Sequence, residues 1–362
     1  MTNDNKYVAD IAIPPGETIL EMLETYNMTQ VELAARMGFS KKHVNEIIKG
    51  KARITAETAV ILERIFSLSA SFWLNLETDY REALARIKEK KRNEEEETIA
   101  QTLPYAEMAN KGWVAKTRLL NDKINNLRNF FRVSNLTIIK NTPTYSVAFR
   151  TTQATKASEL ALAAWLEKGR RLANDIDTKP FSKEKLEGYI PEFRKMTKEN
   201  TGSFYTKLEN MLANCGVAFV LVPHLGKTYA HGAVSWLSKD KVMMQLSLRY
   251  RYSDIFWFSF FHELGHILLH GKREDYIEWD DEEKSEIELQ ADDFAANTLI
   301  PEKEYNNFIK KGNFNKIAII NFADKIEISP GILVGRLQHD NIIEYYKYYG
   351  LKTQYKYTDF NK

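Results

Sequence analysis

Residues 261–270 read Phe261-His262-Glu263-Leu264-Gly265-His266-Ile267-Leu268-Leu269-His270. His262 and His266 are four residues apart. On an α-helix that spacing puts both imidazoles on one face, one turn above the other, where they can share a metal ion. Glu263 lies beside them, placed to take a proton from water. H-E-x-x-H has only three fixed positions and also arises by chance, usually on a solvated helix. Here it follows Ile255-Phe256-Trp257-Phe258-Ser259-Phe260-Phe261 and precedes Ile267-Leu268-Leu269. A helix apolar on nearly every side is a buried helix. Two histidines and a glutamate inside it are costly unless satisfied. A metal ion satisfies all three; core histidines bonded to backbone are the bland alternative. Gly265 leaves room for another element to approach. The apolar run is broken too early to span a membrane, which takes about 20 residues. The pattern predicts a zinc site and metal-assisted peptide hydrolysis, with Glu263 as general base.

A catalytic zinc needs a third protein ligand and one open position. Downstream, Glu274 to Glu283 is strongly acidic and reads as a solvated loop. The better source is Ser285-Glu286-Ile287-Glu288-Leu289-Gln290-Ala291-Asp292-Asp293-Phe294-Ala295-Ala296, which has helical spacing. Glu288 and Asp292 share a face, so one can bind the metal while the other accepts the N–H of a ligand histidine. Glu288 is the first candidate for third ligand, with Asp292, Glu286 and His270 as the others. His270 drifts round from His262 on a straight helix and is expected to close the helix end near Gly271.

His262-Glu263-Leu264-Gly265-His266, then Glu288-x-x-Ala291-Asp292-x-Phe294-Ala295-Ala296, then Leu299-Ile300-Pro301, resembles the ImmA/IrrE metallopeptidases over roughly residues 160 to 340. Members of that family pair with helix-turn-helix repressors and cleave them, or relieve repression in another way. The resemblance implies His262, His266 and Glu288 as zinc ligands and Glu263 as the catalytic glutamate. The family often has Glu and Asn where Gln290 and Asp292 stand; neither difference removes a ligand.

The N-terminal part carries an independent signal. Gly16 to Tyr26 reads as a helix with Ile19, Leu20, Met22 and Leu23 apolar. Thr29 with Glu32 reads as a capping box, Leu33, Ala34 and Met37 form a buried stripe, and Gly38 ends that helix. Ser40 caps Lys41-Lys42-His43-Val44-Asn45-Glu46-Ile47-Ile48-Lys49-Gly50. Two short helices across a glycine turn fit a DNA-binding helix-turn-helix. Residues 36 to 53 hold Arg36, Lys41, Lys42, Lys49, Lys51 and Arg53 against only Glu46, in a chain whose formal net charge is +2. This local charge suits phosphate contact. Lys41, Lys42 and Asn45 are the expected base readers. Gln30, Lys49 and Lys51 are expected on phosphate, with Ser40 at the helix start.

Pro15-Gly16-Glu17-x-x-Leu20, Thr29-Gln30-x-x-Leu33-Ala34, Ile47-x-x-Gly50-Lys51-x-x-Ile54-Thr55 and Phe72-Trp73-Leu74-Asn75-Leu76 resemble the HigA-type antitoxins, a branch of the Cro/repressor proteins. The match covers roughly residues 12 to 90. It implies operator binding as a homodimer and, in toxin–antitoxin pairs, a toxin partner.

Between these parts, residues 77 to 103 hold mostly helix formers, with Lys88 to Glu97 highly charged: an exposed helix or a hinge. Residues 104 to 214 look mainly helical. Val217 to Val222 and Val242 to Leu248 read as strands, joined by a loop carrying Gly226, Tyr229, His231 and Gly232. His231 or Tyr229 is a candidate second donor to the oxyanion, and an edge strand is the expected place for an extended substrate. Phe322 to Leu337 looks like a degenerate helix-turn-helix packed on the peptidase.

The predicted architecture is multidomain. An all-α helix-turn-helix domain (1–80) and a helical connector (81–155) precede an α+β zincin-like metallopeptidase domain (156–305) and a small helical C-terminal module (306–362). The 362 residues suffice for several cores, and 44% hydrophobic with 28% charged residues is ordinary for a soluble chain. The single Cys215 excludes an internal disulfide or a cysteine zinc site. The N-terminus shows no signal-peptide core, so a cytoplasmic protein with no membrane partner is expected. The function so read is a DNA-binding regulator whose zinc endopeptidase cleaves a repressor or similar protein. The alternative is an antitoxin-type repressor whose peptidase fold is a sensory or structural appendage.

Overall fold

The computed structural model describes residues 11–142, 145, 156–226, 228, 230–271, 276–279 and 286–360. The chain divides into two compact units, residues 1–97 and 98–362.

The first unit is helical: α1 (Gly16–Thr25), α2 (Gln30–Met37), α3 (Lys41–Ile48), α4 (Ala56–Phe66) and the long α5 (Ala70–Thr102), which continues past the unit's end. Its core gathers Ile19, Leu23, Leu33, Val44, Ile47, Leu62, Phe66 and Trp73. Each short helix is started by its own cap. Thr29 accepts from the Glu32 N–H at 3.2 Å, Ser40 from His43 at 3.2 Å and Thr55 from Thr58 at 3.2 Å. Only half of the expected capping box forms. The Glu32 carboxylate turns to Arg36, 2.5 Å away, because an (i, i+4) guanidinium competes for it. Gly38, at φ 69°, ends α2 and makes the turn. The charged run from Lys88 to Glu97 lies within α5 as continuous helix, not as a hinge.

The second unit adds α6 (Tyr105–Asn110), α7 (Leu120–Phe131), α8 (Lys156–Asp175), α9 (Lys183–Gly188), α10 (Ile190–Met196) and α11 (Thr201–Ala213). A four-stranded sheet follows: β1 (Val217–Leu221), β2 (Ala230–Ser238), β3 (Lys241–Leu246) and β4 (Tyr276–Trp279), in spatial order β1-β3-β2-β4. β1 runs parallel to β3, and β2 runs antiparallel to both neighbours. Between β3 and β4 lies α12 (Ser253–Gly265), continued by a π-helical turn over His266–His270. The C-terminal helices are α13 (Glu286–Leu299), α14 (Glu302–Lys310), α15 (Lys316–Lys325) and α16 (Pro330–His339).

The sheet is buried on both faces. Val217, Phe219, Val242, Met244 and Leu246 join the core that contains α12. Ala218, Val220 and Met243 join the core that contains α8. Two hydrogen bonds tie α8 to the sheet: the Trp165 indole donates to the Val222 carbonyl at 3.1 Å, and the Gln245 amide donates to the Trp165 carbonyl at 2.9 Å. The C-terminal module shares the α12 core through Ile319, Phe322, Leu333, Leu337 and Tyr355, as expected for a segment packed on the peptidase.

Two sequence expectations are corrected here. The supposed loop carrying His231 and Gly232 is strand β2. Its run Ala230-His231-Gly232-Ala233 lacks β-branched residues, so local propensity is silent and pairing on both sides makes the strand. The acidic stretch from Glu274 is not all loop, since Tyr276–Trp279 is β4, paired to β2; its other residues and Tyr229 lie outside the described residues.

Candidate metal centre

The buried helix α12 presents the H-E-x-x-H residues from its C-terminal turn. His262, Glu263 and His266 are each 0% exposed. What brings α13 to them is a close crossing at Gly265. A β-carbon there would sit 3.1 Å from the Phe294 ring and 3.3 Å from the Ala291 α-carbon, tighter than ordinary packing. α13 then points Glu288 at both rings. Its Oε2 lies 3.0 Å from His262 Nε2, its Oε1 lies 3.4 Å from His266 Nε2, and the two Nε2 atoms are 3.0 Å apart. Among the described residues these three side chains form the group whose donor atoms fall within 4.8 Å of one another.

Asp292, one turn further along α13, holds Oδ1 2.9 Å from His262 Nδ1. A carboxylate only accepts, so Nδ1 carries the proton and Nε2 turns a lone pair inward. Three electron-rich atoms facing one another across 3.0–3.4 Å need a cation among them. The donor set, two imidazole nitrogens and one carboxylate, suits a divalent metal ion and is one that zinc takes.

The electrostatics agree. Burial opposes charge on Glu288, but the adjoining His262 and His266 rings outweigh it and bring the carboxyl down to about 2. Burial pushes His266 below the usual histidine value. An anionic carboxylate beside a neutral ring is the state that metal binding requires.

Glu263 meets the sheet. A β-carbon on Gly232 of β2 would collide with the Glu263 carboxylate, so a larger residue there must displace that side chain. His231, a candidate oxyanion donor, stacks on Tyr250, with ring centroids 5.7 Å apart. His270 does not simply close the helix. Its Nδ1 lies 3.1 Å from His266 Nδ1 and its Nε2 lies 3.0 Å from Gln290 Oε1. Glu286 stands exposed at the start of α13. The sequence reading missed Gly232 and the His270–Gln290 contact. The repeated four-residue spacing of His262, His266 and His270 was the available signal for the second; nothing local marked the first.

The family model for a helix-turn-helix matches residues 19–73, and that for the IrrE N-terminal-like domain matches residues 254–338. The chain joins a HigA-like helix-turn-helix domain to an IrrE-like peptidase-family domain. The HigA-like part is 39% identical over 70 residues to virulence-associated protein I of Dichelobacter nodosus, covering 19% of this chain and 65% of that protein. It is 33% identical over 63 residues to the uncharacterised HTH-type transcriptional regulator YddM of Escherichia coli K12, covering 17% and 67%. This chain therefore spans about two thirds of the length of these curated relatives. Two solved structures are each 34% identical with a TM-score of 0.22. One is a HigA-family addiction-module antidote protein from Coxiella burnetii, with 23% of this chain and 92% of that one covered. The other is Pseudomonas aeruginosa antitoxin HigA with the higBA promoter, with 24% and 94% covered.

In the HigA-like domain, Lys42 and Asn45 of α3 and its C-cap Lys49 follow at three- and four-residue spacing, which is one helix face, with Lys41 adjacent to Lys42. Lys41, Lys42 and Lys49 are exposed, and Asn45 and Gln30 are half-buried. Lys51 is exposed just beyond α3. Ser40 is committed to capping. No helix among the described residues is long and apolar enough to cross a membrane.

Proposed function

We propose that this chain is a DNA-binding transcriptional regulator carrying a zinc-dependent endopeptidase that cleaves a repressor or similar protein. One observation carries the reading: Glu288 of α13 faces the Nε2 atoms of both His262 and His266 while Glu263 stands beside them on the same buried turn. His262, His266 and Glu288 hold the metal, and Asp292 fixes the His262 ring. Bound there, zinc supplies Lewis acidity that acidifies water and polarises a peptide carbonyl. Glu263 accepts a proton from the attacking water on a carboxylate oxygen and returns it to the departing amine. Gly232 keeps the carboxylate seated against β2.

In the reader domain, Lys41, Lys42 and Asn45 contact base edges, and Gln30, Lys49 and Lys51 contact phosphate. A homodimer would address two half-sites of a duplex operator. The test is incubation of zinc-loaded protein with candidate repressors beside the Glu263→Gln variant. Fragments that appear with wild type and not with the variant support the peptidase. Equal operator regulation by both proteins, with no cleavage of any target, leaves the appendage reading.

A further inference from the structure

We propose that His270 and Gln290 are positioning residues for the metal ligand His266, forming a hydrogen-bonded relay that ends at the protein surface. The inference rests on the metal-centre reading above. It follows from where each proton must sit. When His266 offers its Nε2 lone pair to a cation, its remaining proton is on Nδ1. That Nδ1 lies 3.1 Å from His270 Nδ1, which must therefore accept. A neutral His270 then carries its proton on Nε2 and donates it to Gln290 Oε1 at 3.0 Å. The metal thus fixes one tautomer for His270 and one direction for both hydrogen bonds. No donor is opposed to a donor, and no acceptor to an acceptor.

The arrangement makes the two ligand rings unequal. His262 is backed by an anionic carboxylate, Asp292, at 2.9 Å. His266 is backed by a neutral imidazole, itself oriented by an amide. A carboxylate partner makes a ligand imidazole a stronger donor than a neutral partner does, while either one locks the ring's orientation. His270 is half-buried and Gln290 is exposed, so the chain of contacts runs from the buried His266 ring outward. The π-helical turn over His266–His270 keeps His270 on the helix and next to His266; such turns recur at functional sites.

The experiment uses the full chain and measures zinc affinity by competition with a chromogenic chelator, with the visible spectrum of the cobalt(II) form as second readout. His270→Leu removes the acceptor and should weaken zinc binding about tenfold to a hundredfold, with a changed cobalt spectrum. His270→Asn restores an acceptor oxygen near the lost Nδ1 and should recover most of the affinity. Gln290→Leu should cost less than His270→Leu, and nothing further in the His270→Asn background. Wild-type affinity in His270→Leu overturns the proposal, as does His270→Asn binding as poorly as His270→Leu. Wild-type protein that takes up no zinc at all overturns the metal-centre reading itself, a result separable from the other two.

Discussion

Gly232 and Glu263 share a contact that leaves no room for a methyl group: any β-carbon at 232 would stand where the glutamate carboxylate lies. Gly232→Ala should therefore push Glu263 off its position while leaving His262, His266 and Glu288 in place. A displacement of about 1 Å can cost on the order of a hundredfold in rate. The expected outcome is that loss of cleavage with unchanged zinc content and affinity. Full activity in Gly232→Ala would show that the carboxylate's seat against β2 is irrelevant to the reaction.

Glu263→Gln keeps the shape of the side chain and removes its basicity. Proteolysis should fall by about 10²- to 10⁴-fold, the usual worth of a general base. Metal analysis and circular dichroism should match wild type. Cleavage at the wild-type rate would refute the role given to Glu263.

Zinc held by His262, His266 and Glu288 should stabilise the second unit by mass action, about 2.7 kcal/mol at a free concentration a hundred times Kd. Melting curves with zinc and with EDTA should differ accordingly. His262→Ala should erase that difference. A zinc-induced shift that survives His262→Ala would place the bound metal elsewhere.

Glu167 of α8 gives a pH test remote from the metal. It is buried and accepts the Tyr145 hydroxyl at 2.7 Å. Burial raises its carboxyl above the ordinary value of 4.5, against the pull of the Tyr145 hydrogen bond and of Arg132 and Arg170. A carboxyl raised in the folded state keeps its proton after the unfolded chain has lost it, so stability falls as pH climbs above 4.5. Glu167→Gln should remove this slope and gain on wild type as pH rises from 4.5. Denaturant titrations at several pH values would reveal the trend, and a wild type that gains on the variant would reverse the sign argued here.

For the reader helix, base and phosphate contacts separate by salt. Lys42→Ala should lose about 1–3 kcal/mol of operator binding and relax preference at one base. Lys49→Ala should weaken all sequences alike and lower the salt slope by about 1. Binding titrations over a range of salt on specific and random duplexes distinguish the two, and identical behaviour of both variants would contradict the division of roles.

Much of this was readable along the chain because the relevant physics is local. The caps at Thr29, Ser40 and Thr55 act within three residues. The His262–His266 pair is fixed by helix periodicity, and the burial of their helix by its continuous apolar run. Glu288 headed the candidates for third ligand, ahead of Asp292, Glu286 and His270, but the contact that brings it to the rings was not local. Glu286, Glu288 and Asp292 all lie on α13, and only the crossing at Gly265 turns Glu288 toward the two rings. β2 was unreadable because its Ala-His-Gly-Ala start has no strand preference of its own and becomes a strand through two partners.

The sequence alone determined the two helix-turn-helix elements, the buried helix and the pair of imidazoles on one of its faces, since each depends on residues within a turn or two of one another. Tertiary structure alone decided how Glu288 is brought to those imidazoles, that Gly232 presses on Glu263, and that His270 reaches both His266 and Gln290. Those contacts join β2, α12 and α13, segments tens of residues apart. Which of their side chains touch is set by helix crossing and sheet register, quantities that no single stretch of sequence contains.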